Sequence, residues 1–386
     1  MINSKKLLAS TALVSASLVG APAFASDPLT VTVSGGIVTG FYFVDSDDLG
    51  STDDTKVAIS ARSLEVNGEG TLDNGLVAGA SLIIELGDDE GASTSQGDEA
   101  TFQEAFAYLE GGFGRVEIGG TDGAAFKMHY TSPWFVPGNG VDSPNIFNSN
   151  GVNTAGALTT PTFGSSPSTY ALATEDAPKI SYFTPRLSGF QLGVSYTPDA
   201  GVHDPYANGW GVSPTNSSLE EVFEVAANYA GEIGSVELGV DVFYVTGEAG
   251  TADPEEIGAG ASLGFAGFTL GGAYKESQDL SGGYLIPFIP FVGGTDVEET
   301  VWTVGLAYGT GPWTVGVAYI ESEIESGAVS GNSLTTDFLQ VGGGYSLGAG
   351  VDLGLDIQFI NNEIATAGGS LEVEDTSAGV VLAISF

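Results

Sequence analysis

Sixteen segments of this chain alternate apolar with small or polar residues at period two, and the connections between them sort by length. The segments are 29–44, 56–72, 76–86, 101–110, 113–119, 179–184, 190–197, 222–229, 236–245, 257–265, 268–275, 300–308, 313–321, 338–346, 351–359 and 376–386. Connections after the even segments are short and carry turn residues, as in Asp73-Asn74-Gly75, Ala266-Gly267 and Gly348-Ala349-Gly350. Those after the odd segments are long and acidic: 45–55, 87–100, 121–177, 198–219, 248–256, 276–298, 322–337 and 361–375. Period two is the signature of strands with two unlike faces. An even strand number, with short turns at one end and long loops at the other, is the plan of a closed antiparallel barrel crossing a membrane. The expected fold is all-β: a 16-stranded antiparallel transmembrane β-barrel.

The faces agree. Val236, Leu238, Val240, Val242 and Tyr244 share one side of their strand, with Glu237 and Asp241 opposite. Val351, Leu353, Leu355, Ile357 and Phe359 likewise oppose Asp352, Asp356 and Gln358. Charges behind an apolar row suit a wet lumen and a lipid-facing exterior, because Arg or Lys facing lipid at the midplane costs about 2–4 kcal/mol. Tyr229, Tyr244, Tyr274, Tyr308, Trp313, Tyr319, Tyr345 and Phe359 fall on the apolar parity near strand ends. Amphipathic rings gather there at headgroup depth. A soluble sandwich also alternates, but would collect its aromatics mid-strand.

Residues 121–177 form the longest stretch without sustained alternation, rich in Pro, Gly, Asn and Ser. Structureless loops beyond about 12–15 residues are uncommon and usually functional or disordered. Phe126, Trp134, Phe135, Val136, Ile146 and Phe147 give this one apolar anchors. It is expected to fold into the lumen and narrow it.

The N-terminus reads MINSKKLLASTALVSASLVGAPAFAS: Lys5 and Lys6, an apolar run from Leu7 to Val19, then Ala23-Phe24-Ala25. That is the layout of a secretory signal peptide, so residues 1–25 are expected to be removed and 26–386 to form the barrel. The exported chain has no cysteine to staple it. Nine Lys and Arg face 49 Asp and Glu, and without Lys5 and Lys6 seven basic groups remain, a net charge of −42. Such a chain repels nucleic acid, whose binding needs basic groups on phosphates. Its field attracts cations, although an acidic surface also serves solubility alone.

Three stretches resemble a Gram-negative general porin of the alphaproteobacterial type: FGRVEIGGTDGAAF (113–126), PKISYFTPRLSGFQLGVSYTPD (178–199) and the C-terminal GVVLAISF. The resemblance implies a trimeric barrel in the outer membrane, with the third external loop folded inside as a constriction. It implies a homotrimer in contact with outer-membrane lipid and lipopolysaccharide, inserted by the barrel assembly machinery through the terminal Phe386, and passing small hydrophilic solutes. Family constrictions set loop acids against a basic wall. Here Asp122, Asp142, Glu175 and Asp176 lie in or beside the loop. The basic candidates are Arg62, Arg115, Lys179 and Lys275 on the wall and Lys127 in the loop. Arg115 and Glu117 alternate with Val116 and Ile118, so both should face inward. Arg62 faces inward only if a bulge near Ser63 reconciles Val57 and Ile59 with Leu64 and Val66. So few basic groups imply a weak transverse field.

No catalytic constellation emerges, and the chain does not read as an enzyme. His129 and His203 are the only histidines and have no ligand-spaced partner. Gly342-Gly343-Gly344 sits inside a strand and opens no helix, unlike a phosphate loop. Asp45, Asp47, Asp48, Asp53 and Asp54, or Asp88, Asp89 and Glu90, suit loose Ca²⁺ binding without the EF-hand spacing; no other cofactor is expected. Two function classes stand: a cation-preferring passive diffusion channel, and a secreted or surface-anchored acidic β-rich adhesin or structural protein without a pore.

Overall fold

The computed structural model describes residues 12–13, 29–46, 54–86, 100–142, 167–200, 219–250, 252–280, 297–326, 332–366 and 368–386. Sixteen strands run through them: β1 (Thr30–Ser46), β2 (Asp54–Thr71), β3 (Val77–Leu86), β4 (Ala100–Gly111), β5 (Gly114–Gly120), β6 (Pro178–Phe183), β7 (Phe190–Asp199) and β8 (Glu220–Ile233). They continue as β9 (Val236–Glu248), β10 (Glu255–Phe265), β11 (Phe268–Gln278), β12 (Val297–Thr310), β13 (Trp313–Ser326), β14 (Ser333–Gly348), β15 (Val351–Thr366) and β16 (Gly369–Ser385). Each pairs antiparallel with its neighbours in sequence, and β16 pairs with β1 from Ser385↔Gly36 to Asp375↔Ser46, so the sheet closes without an edge. A two-residue strand, Ala12–Leu13, also pairs with Val33 and Thr32 of β1. Closure excludes the sandwich.

The outer face is apolar. Val242, Val315, Leu355 and Val380 are all more than half exposed, while their strand neighbours Asp241, Asp356 and Val381 are buried inside. Aromatic pairs mark both ends of this band. Phe190–Tyr229, Phe268–Tyr308 and Trp313–Tyr345 lie toward the short turns, and Tyr196–Phe223 and Trp302–Tyr319 toward the long loops. The tightest turns bend as their residues dictate: at β10–β11, Ala266 (φ 52°) and Gly267 (φ 87°) both take the left-handed conformation that two-residue hairpins need.

Several strands run further than their alternation predicted. The stretches expected as loops at 322–337 and 361–375 are largely strand: β13 extends to Ser326, β14 starts at Ser333, and β15 and β16 are separated by two residues. A transmembrane strand needs only about 9–11 residues, whereas β16 has 17. Beyond the membrane both faces meet water, so polar residues such as Glu372 and Glu374 erase the apolar alternation while the hydrogen-bond ladder continues. The bulge in β2 falls between Ile59 and Ala61, earlier than Ser63. The side chain of Arg62 lies outside the described residues, as do those of the acidic runs at 47–53 and 88–90.

Candidate functional site: the loop inside the barrel

The third long loop leaves β5 at Gly120 and runs along the inner wall; of its expected anchors Phe135 and Val136 are buried, while Ile146 and Phe147 lie outside the described residues. Its first step is one helical turn, α1 (Ala124–Lys127). Ala124 N donates to Ser195 Oγ of β7 (2.8 Å) and Ala125 N to Glu224 Oε2 of β8 (3.0 Å). Gly123 is required here, because a Cβ would collide with the Glu224 carboxylate. The chain then crosses the wall strand by strand, one glycine at a time. Tyr130 lies on Gly239 and Gly260, Thr131 on Gly271, Pro133 on Gly305, Phe135 on Gly316, Val136 on Gly342 and Pro137 on Gly354. These glycines occupy inward positions of β9 to β15, and a Cβ at Gly354 would stand 2.7 Å from the Pro137 ring. The wall supplies a groove of missing side chains into which the loop backbone sinks. Met128, Phe135, Val136 and Val141 are buried there, each burial stabilising by about 1.5–3 kcal/mol.

Three inward carboxylates fasten this run. Glu224 holds the helical turn and also accepts from Thr174 Oγ1 (2.7 Å). Asp241 of β9 accepts Tyr130 N at 2.7 Å and lies 3.0 Å from His129 Nδ1, whose Nε2 is 3.0 Å from Thr169 Oγ1. Asp356 of β15 accepts from Tyr42 (3.1 Å), Asn139 (2.8 Å), Gln340 (2.8 Å) and Gln358 (2.7 Å). The alternation turned Asp241 and Asp356 inward, but the loop covers all three acids. They hold backbone and side chains and do not face water.

Asp142 corrects the sequence reading in the same way. It was expected at the opening but is fully buried within the loop. Thr131 Oγ1 and Thr169 Oγ1 donate to it, with Ser168 Oγ and Thr169 N at 3.0 Å each. It staples the outgoing run of the loop to the returning one. His129, set aside on the sequence for want of a metal-ligand partner, is a second staple.

The remaining site residues gather where the loop meets β4, β5 and β6. Glu117 is caught between Arg115 Nε (2.6 Å) and Lys127 Nζ (2.6 Å), and Arg115 Nη1 also reaches Glu110 at 3.3 Å. The Arg115 guanidinium stacks 3.6 Å above the Tyr108 ring, and the Lys127 ammonium lies 4.8 Å from the centre of Phe106. The strip Glu110–Arg115–Glu117–Lys127 is electrically balanced. Beside it, carboxylate oxygens of Glu104, Asp122 and Asp176 lie within 4.8 Å of one another, the one described trio close enough to share a proton or a cation. Burial, then the neighbouring carboxylates, pushes Asp122 up to about 7 and Asp176 up to about 8. Lys179, buried beneath them, donates to the carbonyls of Thr121 and Glu175. Glu175 itself is exposed and takes a left-handed backbone (φ 32°). Lys275 is buried further round the wall, 3.6 Å from Glu299 and 3.3 Å from the Tyr170 carbonyl.

Between the loop and the short-turn end of the barrel lies a cavity of about 1860 Å³. Residues 127–138 of the loop line one side, with Arg115, Glu117, Arg186, Thr269, Thr314 and Asp352 around it. Phe386 is outward and 59% exposed, its backbone paired with Gly35 of β1 at 2.9 and 3.0 Å.

Comparison with known proteins places this architecture. Uncharacterized proteins of Rickettsia felis and Rickettsia bellii are each 26% identical to it, over 136 and 138 residues respectively. Those matches cover 33% of this chain and 30% of each relative, so the chain spans under a third of the length of the curated relatives it matches. Among solved structures, OmpT of Vibrio cholerae in its trimer form superposes with a TM-score of 0.59 at 12% identity, over 93% of this chain and 100% of that one. The anion-selective porin of Comamonas acidovorans gives 0.56 at 18%, over 93% and 100%. OmpF of Salmonella typhi, in complex with daunomycin, gives 0.60 at 13%, over 92% and 98%. These likenesses show the fold. The sequence model described as Gram-negative porin matches residues 9–365, nearly the whole length. The chain belongs to the Gram-negative porin family, whose members are outer-membrane channels.

Proposed function

We propose that this porin is a passive diffusion channel for small hydrophilic solutes, that the inward loop sets its narrowest point, and that it prefers cations. The observation that carries the preference is that the described basic groups of the lumen are already engaged. Arg115, Lys127 and Lys275 are ion-paired. Lys179 is buried on carbonyls, and Arg186 donates to Gly189 O and Gln191 Oε1 (both 2.7 Å). Against them the mature chain holds 49 acids to seven bases. With a screening length of about 8 Å at physiological ionic strength, unpaired carboxylates act across a narrow opening, and acid-lined pores favour cations. The fold does not fix the sign, since a neighbour of the same architecture is named anion-selective. The sign rests on this chain's own groups. A reversal potential across a KCl gradient at neutral pH tests it: cation preference is expected, and chloride preference refutes it.

The same reading takes the functional unit as a homotrimer, with residues 1–25 removed on export and Phe386 directing insertion by the assembly machinery. The trimer is supported by the trimer form of a structural neighbour. The export signal is supported by the Lys5-Lys6, apolar run and Ala23-Phe24-Ala25 pattern.

A further inference from the structure

Trp134 stands apart from the other large side chains of the loop. Its neighbours Pro133 and Phe135 turn to the wall glycines Gly305 and Gly316, which leaves the indole pointing away from the wall. It is 38% exposed and lines the 1860 Å³ cavity, whereas Phe135 and Val136 beside it are 2–3% exposed. The ring is held in place. Its Nε1 donates to the Asp142 carbonyl at 3.2 Å, and Gly140 packs so close beneath that a Cβ would stand 2.7 Å from Cδ1. Within the loop, the Tyr170 ring packs against Phe126 and, edge-on, against His129. Trp134 has no ring partner among the described residues. An indole held in one orientation and turned into the cavity keeps apolar surface exposed that a stacking ligand would cover, which is the arrangement of a stacking platform.

The surroundings indicate the ligand. Beyond the charged strip, Arg186 and Asp352, the strands and turns lining the cavity that Trp134 enters carry the hydroxyl residues Ser262, Thr269, Thr314 and Ser346. An apolar plate bordered by neutral hydroxyls matches a pyranose, which offers one C–H face for stacking and a rim of hydroxyls for hydrogen bonds. An aromatic solute would gain nothing from that rim. A cavity of 1860 Å³ exceeds the roughly 300–1,000 Å³ of most small-molecule sites, so a short oligosaccharide can occupy it while still in transit.

We infer that Trp134 is a carbohydrate-stacking subsite on the inward loop, giving the channel a preference for neutral sugars among the solutes it passes. The inference rests on the channel reading, and one planar-bilayer experiment separates the two. Stepwise open-channel currents test the pore; added maltotriose tests the subsite. Maltotriose is expected to reduce the current in a saturable way, beyond the reduction caused by polyethylene glycol of equal hydrodynamic size. Trp134→Phe, which keeps a ring, should retain most of the block, and Trp134→Leu should weaken it at least tenfold, each block being read as a fraction of that variant's own open-channel current. If Trp134→Leu yields no folded barrel, Trp134→Gln, which removes the aromatic face but keeps an N–H donor, takes its place in the comparison of maltotriose with polyethylene glycol. A maltotriose effect no greater than that of polyethylene glycol overturns the subsite, as does undiminished block in Trp134→Leu. Trp134-dependent block by ethidium but not by maltotriose also overturns it, by assigning the platform to planar aromatics. Absence of any channel steps would instead defeat the pore reading.

Discussion

Raising the pH from 6 to 9 should make this porin more cation-preferring, through two loop carboxylates that titrate across that range. Asp122 is pushed up to about 7 by burial and then by Glu104, and Asp176 up to about 8 by burial and then by Asp122 and Glu104. From the protonation equilibrium at those values, about 10% of Asp122 and 1% of Asp176 are ionised at pH 6, against about 99% and 90% at pH 9. The junction of the loop with β4, β5 and β6 therefore gains nearly two negative charges. At a separation of about 8 Å, one charge attracts a cation by about 0.5 kcal/mol in water and about 2 kcal/mol at an effective dielectric of 20, and salt reduces either figure to roughly a third. Two charges then contribute about 0.4–1.4 kcal/mol, a two- to tenfold rise in local cation concentration. Reversal potentials across a KCl gradient, taken at pH 6, 7, 8 and 9, would read this as a rising cation-to-anion permeability ratio. In Asp122→Asn/Asp176→Asn the profile should flatten. A flat profile in the wild type, or an equal rise in the double variant, would refute the assignment.

The same two groups carry a stability consequence of definite sign. Carboxyls with folded values above the unfolded one bind protons more tightly in the native state, so the contribution of these two to stability is fully present below about pH 4 and is lost as pH rises to about 8. Asp122→Asn/Asp176→Asn should be less sensitive to denaturant at pH 8 than the wild type, and indistinguishable from it at pH 4. Gly260→Val places a side chain where the Tyr130 carbonyl now sits, and should lift the loop and raise single-channel conductance while heat-shifted gel mobility reports an intact barrel. Asp356→Ala removes an acceptor shared by four donors, with hydrogen bonds to a charge each worth about 1.5–3 kcal/mol; a lower unfolding midpoint with increased current noise is expected. Deleting Phe386 should leave the chain unfolded in the periplasm, read as loss of the barrel from outer-membrane fractions.

The barrel was legible because lipid imposes a strict rule: alternation, turn residues and loop-length parity all follow from crossing an apolar slab. It failed only where the slab ends, so the outer stretches of β13 to β16 read as loop. Inside, legibility was partial. Alternation turned Asp241 and Asp356 inward, but it does not say whether water or protein lies opposite such an acid. That depends on contacts more than 90 residues apart, such as Ala125 with Glu224. Asp142 misled for the same reason, since a loop acid reads as hydrated until its four donors are assembled. One available signal was overlooked. Gly239, Gly260, Gly271, Gly305, Gly316, Gly342 and Gly354 fall at inward positions of seven successive strands. Glycine inside a strand is costly unless another backbone approaches, so their recurrence marked the path of the loop.

The claim that this path narrows an open channel is tested most directly by single-channel conductance in a planar bilayer, comparing the intact protein with a variant lacking residues 138–150. The account predicts discrete steps for both, with a larger step for the variant. Equal steps from a variant that still folds would place the narrowest point elsewhere and contradict it.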